Sequence, residues 1–94
     1  MEARFRVHGS FPLRSRSVLA VYGAVSSGAV RAGQRVLAPP GLDAPVDAVE
    51  FVLVVARRGR AEPALCFRYE TEPDLARWQA LVPPGTELVL HGPD

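Results

Sequence analysis

The chain has no lysine, no asparagine and no isoleucine, and it carries one cysteine and one tryptophan. A single cysteine excludes an internal disulfide. Without lysine there is no phosphate-cradling Gly-x-x-x-x-Gly-Lys-Ser/Thr loop, and so no GTP hydrolysis by that route. Long apolar runs are also missing. The longest, Val49 to Ala56, is interrupted by Glu50, whereas a membrane helix needs roughly 20 apolar residues. The opening Met-Glu-Ala-Arg-Phe-Arg lacks the apolar stretch of a signal peptide. These absences predict a cytoplasmic protein with no membrane segment, no nucleotide and no other cofactor. All 11 basic residues are arginine, a bias that fits a GC-rich genome. Missing asparagine also fits a thermophile, while missing lysine runs against one.

What remains is enough for a core. Ninety-four residues suit one domain, spanning 1–94. Hydrophobic residues make up 48%, which argues against disorder. Charge is unevenly spread. Residues 1–60 hold nine arginines against four acids, and residues 61–94 hold two arginines against six. Such asymmetry can mark a nucleic-acid face. If the halves interleave in space, the two charges simply pair.

Hydrophobic spacing reads as strands. Phe5, Val7 and Phe11 alternate with Arg4, Arg6, His8 and Ser10, the period of a half-buried strand. Val18 to Val25 is apolar on both faces, which predicts a central strand. Arg35 to Ala38 is short and stops at Pro39-Pro40-Gly41. Val46 to Ala56 is the strongest strand, with a bulge expected near Ala48-Val49, where its apolar parity changes. Its Phe51 to Val55 stretch reads as central or as cover for a partner subunit. Leu65, Phe67 and Tyr69 mark a fifth strand and Thr86 to His91 a sixth. One helix is expected at about 72–81, within a segment 71–82. Thr71 and Asp74 have capping spacing, Pro73 suits a first turn, and Leu75, Trp78 and Leu81 form a helical stripe. The expected fold is all-β: a small closed six-stranded antiparallel, Greek-key barrel with one short helix.

The stretch from Leu19 to Val36 is the distinctive one. Gly23, Val25, Gly28, Val30, Gly33, Gln34 and Val36 fall on the pattern Gly-x-Val-x-x-Gly-x-Ile/Val-x-x-Gly-Asp/Gln-x-Val. This stretch resembles the second domain of translational GTPases such as elongation factor Tu. Phe5-x-Val7 and Phe11-x-Leu13 look like that family's first strand, and Pro84-Gly85-Thr86-Glu87-Leu88 looks like a closing one. The helical segment looks like an insertion. The motif is structural. Gly23 allows close approach in a curved strand, Gly28 and Gly33 can take positive φ at corners, and Val25, Val30 and Val36 are expected in the core. The resemblance implies a barrel of the translation-protein type without its GTPase domain. In the family this domain contacts ribosomal RNA.

Candidate sites are few. Arg14 and Arg16 sit on one turn, and Arg57, Arg58 and Arg60 on another. Arginine suits bidentate phosphate contacts, and Trp78, Tyr22 and Tyr69 could stack bases if exposed, although the helical stripe puts Trp78 in the core. These five arginines are the candidate nucleic-acid site. His8 and His91 fall short of a metal site unless Cys66 or a carboxylate joins them. Glu70, Glu72 and Asp74 read as a helix start with dipole-matched charge rather than a catalytic pair. Cys66 has no Cys/His motif beside it and reads as a small strand residue. No catalytic residue and no metal is expected. The chain reads as a non-catalytic binding module for RNA or a ribonucleoprotein. The alternative is a protein-interaction or regulatory domain, including a homodimer.

Overall fold

The computed structural model describes residues 2–54 and 59–93. The elements are β1 (Glu2–Leu13), a 3-10 turn (Arg14–Arg16), β2 (Val18–Ser27), β3 (Arg35–Ala38), β4 (Val46–Val54), β5 (Arg60–Arg68), α1 (Glu72–Leu81) and β6 (Glu87–His91). The strands form one antiparallel sheet in the order β3-β6-β1-β2-β5-β4.

Alternation sets the faces. Ala3, Phe5 and Val7 of β1 are fully buried, and Arg4 and Arg6 between them are exposed. Leu19 and Val21 of β2, Leu65 and Phe67 of β5, and Leu88 and Leu90 of β6 meet them in one apolar cluster. Burying each such large side chain contributes about 1.5–3 kcal/mol. β2 lies between β1 and β5, and Val18 to Val21 are all buried, as a central strand requires. Its second face carries Val18 and Ala20, and Ala20 stands opposite Cys66 of β5.

The sheet bends where the ladder slips. Register shifts fall between Arg4/Phe5 and Val7/Gly9 in the β1–β2 pairing. Gly23 lies opposite Val7, where a Cβ would collide with the Arg6 carbonyl oxygen. Gly28 and Gly33 take positive φ, +72° and +93°, the region that favours glycine. The bend brings the two ends of the sheet together at one corner. Arg35 bridges Pro45. The Gly33 N–H donates to the Val46 carbonyl, and the Val46 N–H donates to the Gln34 carbonyl, both at 2.8 Å.

Helix α1 follows from its local signals. The Thr71 hydroxyl accepts from the Asp74 N–H at 3.2 Å, with Glu72 and Asp74 in the positive first turn. Leu75, Trp78 and Val82 face inward and join the core with Leu42 and Tyr69. Pro83 ends the run.

Two sequence expectations are corrected. Val25 is 40% exposed, because β2 continues to Ser27 past the edge of the buried cluster; Val30 and Val36 do pack against that cluster. The strand at 46–54 has a register shift between Val46 and Ala48, beside the expected bulge. It lies at the end of the sheet rather than in its middle. Phe51 and Leu53 are opposite Pro63 and Ala61, past the buried cluster, and are exposed at 73% and 72%. Val55 and Ala56 lie outside the described residues.

Candidate functional site

The expected arginine site divides. Arg14 and Arg16 share the turn between β1 and β2, but each is held by an acid. Arg14 Nη1 donates to both carboxylate oxygens of Glu72 at 2.6 Å. Arg16 reaches Glu50 with two donors, at 3.1 and 2.5 Å. That pair of hydrogen bonds holds the Glu50 carboxyl below its ordinary pKa, and Glu72 raises Arg14 in the same way. Arg57 and Arg58 lie outside the described residues. Arg60, at the start of β5, has no carboxylate partner among the described residues.

Charge is therefore interleaved. Arg4 pairs with Glu87 at 3.0 Å, Arg68 with Asp47 at 3.7 Å and Arg77 with Asp74 at 3.1 Å. The basic first part of the chain and the acidic last part meet across the fold, as in Arg14–Glu72 and Arg4–Glu87. Among the described residues the turn arginines do not form one bare basic face. The stacking surfaces are also withdrawn. Trp78 and Tyr69 are 4% and 6% exposed, and half-buried Tyr22 packs its ring 6.0 Å from that of Phe11.

The histidines separate along the ladder. His91 stands opposite Glu2, whereas His8 lies at the bulge in β1. No group of three or more potential metal ligands is found among the described residues. His8 Nδ1 instead meets Glu62 Oε1 at 2.8 Å, a pairing that sequence reading missed. The two residues are 54 apart, and the strand order β1-β2-β5 is what brings them together. The pair borders a groove of about 460 Å³ with Gly23, Val25 and Arg60. A second groove, of about 410 Å³, is lined by Asp43, Asp47, Glu70 and Asp74 around the buried Trp78.

Cys66 is buried. Burial first, and the Glu50 charge second, push its thiol above the ordinary value. A raised pKa makes a poor nucleophile at neutral pH.

The remaining feature is the outer edge of β4. Beyond the corner at Pro45 and Val46, the only strand paired with β4 among the described residues is β5. An open edge offers unpaired N–H and C=O groups, and here Phe51 and Leu53 stand beside it. Exposed large apolar side chains grouped together are a common feature of interaction sites. Comparison with known proteins gives no match, whether to a family model, a curated protein or a solved structure. No helix among the described residues is long and apolar enough to cross a membrane.

Proposed function

We propose that this chain is a non-catalytic binding module whose partner is a protein, engaged through the β4 edge. The observation that carries the reading is the exposure of Phe51 and Leu53 on a strand that ends the sheet. Interleaved charge supports it, since paired arginines leave less positive field for a polyanion. The carrier is a small six-stranded barrel of the translation-factor second-domain type, joined at the Arg35–Pro45 corner and, among the described residues, open along the rest of β4. The glycine spacing of residues 23–33 and the meeting of the sheet's two ends at Arg35 and Pro45 support that assignment. A cytoplasmic location belongs to the same reading and rests on the lone cysteine.

Affinity capture with the intact chain tests the reading. A bound protein should be lost when Phe51 and Leu53 become Arg, with the circular dichroism of the chain unchanged. Capture that ignores these substitutions sinks the proposal.

An RNA or ribonucleoprotein partner is the second reading. Arg6, Arg31 and Arg60, which lack carboxylate partners among the described residues, favour it. RNA binding that weakens steeply with salt, and falls when Arg57, Arg58 and Arg60 become Ala, would establish it.

A further inference from the structure

We infer that the acidic groove beside α1 binds a guanidinium group, the arginine side chain of a partner peptide, with Asp43, Asp47, Glu70 and Asp74 as its acceptors. The site uses neither Phe51 nor Leu53, so it goes beyond the reading of the β4 edge and stands without it.

Four segments bring carboxylates to this groove. Asp43 comes from the loop before β4, Asp47 from the start of β4, Glu70 from the link between β5 and α1, and Asp74 from the first turn of α1. Among the described residues Arg68 is the one cation in the lining. It stands 3.7 Å from Asp47, and Arg77 holds Asp74 at 3.1 Å. These acids thus already accept guanidinium groups of the chain itself. Arg35 reaches only the backbone carbonyl of Asp43, at 3.4 Å. The carboxylates of Asp43 and Glu70 have no cationic partner among the described residues. The excess acid focuses a negative potential on a space of about 410 Å³, the size of a small-ligand site.

A second observation points to a ligand. Trp78 lines the same groove and is 4% exposed. Its Nε1 N–H is the only buried side-chain donor or acceptor left without a partner among the described residues. An unmet buried donor is costly, and a carbonyl carried by the ligand meets it. Asp74 and Trp78 are four residues apart on α1, so carboxylate and donor share one face of the helix. An arginine residue in a peptide supplies both halves. Its guanidinium has five donors for the surrounding carboxylates, and its backbone carbonyl is a side chain's length away.

The chain has one tryptophan, so a single indole N–H resonance reports on this site. Titrating the intact chain with N-acetylarginine amide should move that resonance downfield until it saturates. The neutral N-acetylcitrulline amide should leave it in place. Agmatine, a guanidinium without the carbonyl, should bind more weakly. Asp43→Asn together with Glu70→Gln should weaken binding of N-acetylarginine amide by up to about tenfold, with circular dichroism unchanged. An indole resonance that stays still to the solubility limit of N-acetylarginine amide overturns the inference. So does an equal shift from the citrulline analogue, or full affinity in the double variant. Agmatine binding as tightly as N-acetylarginine amide overturns the peptide partner and assigns the groove to a free guanidino compound.

Discussion

The carbonyl oxygen of Arg6 fills the space where residue 23 would place a Cβ. Glycine is the residue that lets β1 and β2 come this close beside the Val7/Gly9 register shift. The obstacle is backbone, so it cannot swing aside as a side-chain tip would. Gly23→Ala is expected to cost about 1–3 kcal/mol, the range of an overpacked site. Urea unfolding measures it. A variant as stable as the parent would show that the close approach is not needed.

Gln34 is 1% exposed, and its side chain works on its own loop. Its Oε1 accepts from the Arg31 N–H at 2.9 Å, and its Nε2 donates to the Ala29 carbonyl at 3.0 Å. Its own carbonyl ties the loop to Val46. Gln34→Ala takes away the partners of the Arg31 N–H and the Ala29 carbonyl and should cost about 1–3 kcal/mol. Amide hydrogen exchange should quicken at Val46 and Gly33 first. Unchanged protection there would refute the loop-tie role.

The Thr71 cap is a local device on an exposed helix end. Thr71→Ala should lose about 1 kcal/mol, while Thr71→Ser, which keeps the hydroxyl acceptor, should lose little. Thermal unfolding of the pair separates the two. Equal losses would assign the effect to the threonine methyl group instead of the cap.

Arg16 and Glu50 predict a pH response. Glu50 has a lowered pKa in the folded chain because Arg16 donates to it. Its contribution to stability is therefore present above the ordinary carboxylate range and fades as pH falls through the lowered value. Carboxyl carbon shifts followed by NMR should show Glu50 titrating below an ordinary glutamate. Arg16→Gln should return it toward the usual range. An unmoved Glu50 in that variant would break the assignment.

Local signals were readable wherever the chain's neighbours supply the cause. Thr71, Pro73 and the Leu75/Trp78 stripe place α1 over Glu72–Leu81, as found. The two-faced apolar run of Val18 to Val21 places β2 between two neighbours. Long-range causes were hidden. A strand apolar on both faces reads the same whether other strands or nothing flanks it, so the edge position of β4 had no signature. Val25 continues the β2 pattern, but only the limit of the cluster beneath leaves it exposed. The arginine turns looked available for phosphate because Glu72 is 58 residues from Arg14 and Glu50 is 34 from Arg16. His8 and Glu62 needed the strand order to meet.

Trp78 is the chain's one tryptophan, and it sits under α1 with its Nε1 buried and no acceptor among the described residues. Its fluorescence is thus a reporter on the seating of the helix. Emission that reddens before the strand signal in far-ultraviolet dichroism collapses would reveal a state in which the helix has lifted and the sheet persists. Coincident curves would make helix and sheet one cooperative unit.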